Sequence, residues 1–391
     1  MDLVKDIHKS EYGVAPDVIA RAPGRFHLIG EHSWFFRDKT LSMGVNLPVH
    51  VAVSFRDDGV FQFYFPQLRD RRRVTMASMK FRKEDRWANS VKAMIFGFAS
   101  FGYDVRGMDF TVSSDILPSA GFGINTAMKV GSACAISELH GFGCDEGRLL
   151  QVISRGNMKF LGSVSYIADI FTAVHSAERS LVLTDHASKS CALLPFDYPG
   201  KRIILVDAKV PRVNIWSEDI IREAEYALLL GELKDRRSHV RGGWRYEENP
   251  HEVNLVLSIA PEMIHKKLNS IIREHQLVLD AWDGLEKGSF GSFARAVNRS
   301  HDNMRDEYEI SCPEIDWILK RLSEISPNND DPRNPFSCGR ITGKGFGRCL
   351  YAILDEKDVP EFDRRLSEFT KIFGFRPSSH VVEPAGGVRI V

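Results

Sequence analysis

The chain lacks the marks of several functional classes. Its six cysteines, Cys134, Cys144, Cys191, Cys312, Cys338 and Cys349, are scattered through 391 residues with no C-x-x-C pair. They form neither a disulfide framework nor a zinc pattern and read as reduced, mostly buried thiols of a cytoplasmic protein. Excess charge of one sign is missing: 52 Lys and Arg balance 52 Asp and Glu. A nucleic-acid binder held mainly through phosphates would carry a basic excess. No apolar run approaches the roughly 18 residues of a membrane span. The start, Met1 to Asp6, has no cationic segment followed by an apolar one, so no signal peptide is expected. H-E-x-x-H, G-x-S-x-G and G-x-G-x-x-G do not occur in a usable form, and Gly343-Lys344-Gly345 lacks the earlier glycine and following hydroxyl of a Walker A loop.

What remains is ordinary globular composition, 43% hydrophobic and 27% charged. At roughly 100–200 residues per domain the length predicts two domains. Pro195 and Pro199 mark a boundary, giving an N-terminal domain over 1–195 and a C-terminal one over 196–391. Mixed strands and helices without strict alternation predict an α+β fold.

Spacing predicts a helix over 1–12 and short strands from Val18 to Phe65. Within that stretch Val45–Val53 and Val60–Phe65 alternate around Asp57-Asp58-Gly59, which reads as a hairpin. The basic run Arg69 to Arg73 reads as a solvated loop. Helices are expected over Trp87–Phe101, about Thr126–Leu139, Ile215–Leu233, Ile264–Lys287 and Pro360–Phe373. Strands are expected at Met108–Val112, Ile203–Asp207, Leu350–Leu354 and near His380–Glu383, with a long loop over 234–252.

Three places could carry chemistry. Ser114 to Thr126 follows a strand and opens a helix, and a helix N-terminus offers unpaired N–H groups and a positive dipole end to an anion. Glycine-containing turns of this kind also occur with nothing bound. Gly339 to Arg348 holds four glycines before a strand and implies close backbone approach or a plain flexible turn. Arg25, followed by Gly30-Glu31-His32, could serve hydrogen bonding or acid–base work, although a lone Glu-His pair is more often surface decoration.

Together these segments resemble the galactokinase branch of the GHMP small-molecule kinases. Ala22-Pro23-Gly24-Arg25 with Leu28-Ile29-Gly30-Glu31-His32 is similar to the family's A-P-G-R-x-x-L-I-G-E-H signature. Trp87-Ala88-Asn89-Ser90-Val91-Lys92 is similar to W-x-N-Y-V-K, and Val105 to Pro118 follows the strand into the phosphate loop. Ser300-His301 through Pro313-Glu314-Ile315-Asp316 matches a C-terminal S-H…S-x-P-E-x-D run, and Gly339 to Gly347 resembles A-R-M-T-G-G-G-F-G-G. The matches run in family order from about residue 20 to the end.

The resemblance implies a two-domain GHMP-kinase fold with ATP and a sugar in an inter-domain cleft, and phosphoryl transfer to the anomeric hydroxyl of galactose or a related monosaccharide. Asp169 matches the candidate base, and Arg25 the arginine that favours its ionised form. Glu31, His32, Trp34 and Asp219 fall at sugar-contacting positions. Trp87, Pro118, Ser119, Ala120, Gly121, Phe122, Gly123, Ile124, Asn125, Thr126 and Lys344 fall at ATP-binding ones. Trp34 stands where the family has an aspartate, and Asp219 where it has a tyrosine. The two Mg²⁺ positions hold Asn125 and Asn157, whose amide oxygens are weak ligands beside a carboxylate. Lys344 or Arg348 could then supply positive charge to the phosphates. These departures leave a second reading, a catalytically degenerate homologue that binds sugar or nucleotide or regulates a partner. No nucleic-acid or membrane partner is expected, and the oligomeric state is unread.

Overall fold

The computed structural model describes residues 2–32, 38–114, 122–163, 166–211, 262–325, 333–343 and 345–391. Contacts divide the chain into two compact units. The first comprises Met1–Phe26, Met43–Glu178 and Pro384–Val391, the second His27–Ser42 and Arg179–Glu383. The chain is thus not cut once near residue 195. β1 (Val18–Ile29) and β2 (Lys39–Phe55), at 12 and 17 residues, are longer than the short runs expected, and each continues from one unit into the other.

The first unit opens with α1 (Asp2–Tyr12), whose Val4 packs with Ile19 and Ala52. Its buried His8 bonds Thr111 Oγ1 at 3.0 Å and Ser54 Oγ at 2.9 Å, so a polar ring inside the core is satisfied on both sides. Next come β3 (Val60–Phe65), β4 (Asp70–Thr75) and β5 (Met108–Ser114). With β12 (Arg389–Ile390) the strand order is β12-β1-β2-β5-β3-β4.

Two expectations fail here. β2 and β3 are not a hairpin, because β5 lies between them, antiparallel to β2 and parallel to β3. All seven β5 residues are buried, as a central strand requires. The arginine run is not a loop but β4, paired with β3, with alternate residues exposed. The period of two in Asp70-Arg71-Arg72-Arg73 was hidden because both faces are polar.

α2 (Ala88–Ser100), α3 (Ile124–Leu139), α4 (Glu146–Arg155) and α5 (Ile167–His175) complete this unit. The tail ties two site-bearing elements together. Arg389 and Ile390 pair with Arg21 and Ala20 of β1. The same tail donates from Gly387 N to Ser176 O and from Val388 N to Ala173 O at the end of α5.

In the second unit, β6 (Ser180–Asp185) and β7 (Ser190–Pro195) form a hairpin whose first strand pairs with Lys39–Ser42 of β2. β8 (Lys201–Asp207), β9 (Cys338–Ile341), β10 (Cys349–Asp355) and β11 (Ser378–Val382) form an antiparallel sheet ordered β11-β8-β10-β9. Its helices are α6 (Glu262–Glu286), α7 (Phe290–Asp306), α8 (Pro313–Ile325) and α9 (Val359–Phe373). Val206, Leu350 and Ala352 from the sheet pack with Ile315, Leu322, Phe362 and Phe369 from the helices into one core. The helix expected over Ile215–Leu233 and the loop over 234–252 lie outside the described residues. Among the described residues no helix is long and apolar enough to cross a membrane.

Candidate active site

In the first unit, β1 carries Arg25 and the first turn of α5 carries Asp169. Arg25 Nη2 lies 2.5 Å from Asp169 Oδ2, with side-chain exposures of 14% and 19%. Three local features fix this pair. Arg25 N donates to Phe122 O at 2.8 Å, tying β1 to the turn before α3. Gly123, with φ of +72°, lets the arginine stem pass, since a Cβ there would sit 2.5 Å from Arg25 Cγ. Thr126 Oγ1 donates to Asp169 Oδ2 at 3.2 Å. The carboxylate is therefore oriented by a guanidinium and a hydroxyl while keeping an exposed edge. Arg25 Nε is buried with no hydrogen-bond partner among the described residues.

The two metal positions do not fit a metal. Asn125 is exposed at the first turn of α3. Asn157 is buried, and its Oδ1 accepts from Lys129 Nζ at 2.9 Å. An ammonium can only donate, so the amide oxygen is the atom that faces it. The oxygen that a cation would need is held by another cation. Among the described residues no group of three or more His, Cys, Asp or Glu side chains is gathered as a ligand set. Burial lowers the Lys129 pKa from its ordinary value; Asp169 raises it and Arg25 lowers it further. Lys129 thus belongs electrostatically to the Arg25–Asp169 cluster.

In the second unit the Gly30-Glu31-His32 turn is held from behind. Gly30 has φ of +89° and a Cβ there would meet Lys39 O at 2.3 Å. Gly30 N donates to Glu274 Oε1 at 3.1 Å. Arg340 Nη1 donates to Glu31 Oε1 at 2.7 Å, and its Nη2 to Glu274 Oε1 at 3.1 Å. Ser300 accepts from Arg340 Nε at 2.7 Å and donates to Glu274 at 2.8 Å. Side-chain exposure is 0% for Arg340, 4% for Glu31 and 1% for Glu274. Burial opposes the charge on Glu31, but Arg340 above all, then His32 and His27, holds its carboxyl below its ordinary value. Burial pushes Glu274 upward, against the pull of Arg340. Glu31, expected as a sugar contact, thus gives one oxygen to an internal ion pair. The His32 ring lies 5.4 Å from that of Tyr308.

Other expected residues have different company. Trp87 is buried, 5.2 Å from the Phe65 ring, and its Nε1 donates to Asp70 Oδ2 at 2.9 Å. The rest of its motif is also framework: Asn89 clasps the Arg82 backbone and Lys92 Nζ donates to Lys80 O and Asp85. Arg348, expected as a source of positive charge, binds Asp207 through Nε at 3.2 Å and Nη2 at 2.9 Å. Phe122 and Ile124 are buried turn residues beside Gly123. The C-terminal glycines pack within their own unit, with Phe346 N donating to Ile310 O at 2.6 Å. Trp34, Pro118, Ser119, Ala120, Gly121, Asp219 and Lys344 lie outside the described residues.

Sequence reasoning missed the Lys129–Asn157 contact and the role of Glu274. One signal was present for Lys129. It is the lone cation in α3, four residues after Asn125, in a helix of small and apolar residues. Nothing singled out Glu274 among the charged residues of α6.

Family comparison rests on the whole chain. A galactokinase galactose-binding signature matches residues 6–55, a GHMP kinase N-terminal domain 89–177 and a GHMP kinase C-terminal domain 282–371. A Treponema pallidum protein named "Putative galactokinase" is 37% identical over 398 residues, spanning 100% of this chain and 97% of that one. The chain belongs to the galactokinase family. As a galactokinase-family member it is also 26% identical to the galactokinase of Thermotoga neapolitana over 370 residues, covering 94% of this chain and 99% of the relative. The crystal structure of Lactococcus lactis galactokinase complexed with galactose superposes with a TM-score of 0.87 at 19% identity, covering 99% of each chain. A Methanococcus jannaschii mevalonate kinase matches with a TM-score of 0.63 at 12% identity, over 94% of this chain and 98% of that one. The fold of this galactokinase-family chain is therefore the two-domain α+β GHMP-kinase fold, and the family is one of sugar kinases.

Proposed function

We propose that this galactokinase-family chain transfers the terminal phosphoryl group of ATP to the anomeric hydroxyl of galactose or a closely related monosaccharide. The observation that carries the reading is Asp169 held 2.5 Å from Arg25 with an exposed carboxylate edge. In this reading Asp169 accepts the hydroxyl proton as the sugar oxygen attacks. Arg25 keeps Asp169 ionised and offers positive charge to the transferring group. Thr126 holds the carboxylate's orientation through its hydroxyl. Phosphoryl transfer asks for alignment and charge neutralisation more than covalent help, which this arrangement supplies. The turn residues Phe122 and Gly123 and the first α3 residues Ile124 and Asn125 would face the phosphates. In the second unit, Arg340 fixes the turn that carries His32 through its bond to Glu31.

A coupled ADP-release assay with ATP and a panel of hexoses and pentoses tests this. Turnover on galactose or an epimer is expected. No ADP release on any sugar would contradict the reading.

A further inference from the structure

Lys129 is not used by the phosphoryl-transfer reading given so far. It sits at the fourth residue after Asn125 on the same face of α3. Long helical side chains lean back toward the helix N-terminus, which favours an ammonium near the start of α3. Its ammonium is 2.9 Å from Asn157 Oδ1, and the charges of Asp169 and Arg25 both act on it. Two cations therefore share one carboxylate, at the positive end of a helix whose Gly123 cap offers no side-chain partner. Among the described residues two cations face one carboxylate and the buried Arg25 Nε has no hydrogen-bond partner, an arrangement that asks for an anion. A divalent cation at Asn157 would instead meet an ammonium at hydrogen-bond distance.

We propose, resting on the kinase reading above, that Lys129 is a nucleotide-binding residue. Its ammonium neutralises the ATP phosphates from the place where a protein-held metal would otherwise sit. Asn157 is then the positioning residue that aims the lysine. The chain binds polyphosphate through Lys129 and Arg25, and a divalent ion travels with ATP, if at all, without a seat on Asn125 or Asn157. This is a site of altered metal dependence, not a dead one.

Calorimetry on the full chain with ATP in excess EDTA, and again in excess Mg²⁺, tests the proposal without any variant. The two dissociation constants are expected to agree within about threefold, because neither Asn125 nor Asn157 seats a metal in this proposal. Lys129→Met should weaken metal-free ATP binding by about ten- to a hundredfold, the range of one charge-assisted hydrogen bond, and Lys129→Arg should restore most of it. A purely structural lysine would shift the melting temperature of Lys129→Met and leave metal-free ATP affinity unchanged, which overturns the proposal. So does a gain above tenfold from Mg²⁺ in the parent. Either result leaves the kinase reading standing if the parent still releases ADP on a sugar. Absence of ATP binding under both conditions overturns both.

Discussion

Arg25 with Asp169 and Arg340 with Glu31 and Glu274 are built from the same charges, yet solvent reaches only the first. Arg25 and Asp169 keep 14% and 19% of their side-chain exposure, whereas Arg340 keeps 0% and its two partners 4% and 1%. The first cluster is small, and among the described residues it sets Arg25 and Lys129 about one carboxylate. In the second, every nitrogen of the Arg340 guanidinium donates, to Glu31, Glu274, Ser300 and the Ile341 carbonyl. A charge pair proposed to react needs an edge that a substrate can reach. A charge pair that holds a turn in place is closed to water, and its guanidinium is engaged at every nitrogen. The contrast separates a proposed reacting centre from a frame within one chain.

Predictions follow the contrast from the strongest effect down. Asp169→Asn should lower turnover by about 10²–10⁴-fold, the usual contribution of a positioned base, with a melting temperature close to the parent's. Steady-state kinetics and a thermal melt read both numbers; a large loss of stability in this variant would place Asp169 with the frame instead. Arg340→Met should show the opposite signature. Removing one partner of a fully buried ion network strands Glu31 and Glu274, so urea unfolding should lose about 3–5 kcal/mol. Trp87→Phe keeps the packing on Phe65 but gives up the bond to Asp70, so it should cost about 1 kcal/mol and leave turnover intact. Weakened ATP binding in that variant would return the indole to the nucleotide site.

The smallest effect concerns pH. Glu274 has a raised carboxyl pKa in the fold, so it binds protons more readily folded than unfolded. Its contribution to stability is present at low pH and fades as pH rises from the ordinary carboxyl range through the raised value. Glu31 runs the other way, its contribution being present above the ordinary value and lost as pH falls through the lowered one. In Glu274→Gln the fading with rising pH should vanish while the acid-side loss from Glu31 stays. Urea unfolding from about pH 2 to about pH 8 measures both limbs. An unchanged profile would mean that Glu274 is not the titrating member.

Much of this was legible in the sequence, for different physical reasons. Helices such as Ile124–Leu139 and Val359–Phe373 announced themselves through apolar spacing and glycine or proline at their ends. Arg25 and Asp169 were found through motif order, although 144 positions separate them, since nothing local in either segment shows that they meet. The hairpin expectation failed because strand order is a tertiary property: alternation in Val45–Val53 and Val60–Phe65 was real, but β5 took the place between them. The Trp87, Asn89 and Lys92 motif was visible, yet its residues serve to pin the 80–85 segment and Asp70. Motif recognition marks residues that a fold keeps using; only contacts tell whether the use is chemistry or architecture. Lys129 and Glu274 needed the structure outright, as a charge on a helix reads as a solvated face until its partner is seen.

The central claim is that the accessible Arg25–Asp169 pair carries phosphoryl transfer to a sugar's anomeric oxygen. Phosphorus NMR of the parent and of Asp169→Asn, each incubated with ATP and galactose, tests it most directly. The account predicts a sugar 1-phosphate resonance that grows with the parent and stays absent with the variant over the same time. Phosphate appearing at another hydroxyl, or at equal rates in both proteins, would contradict it.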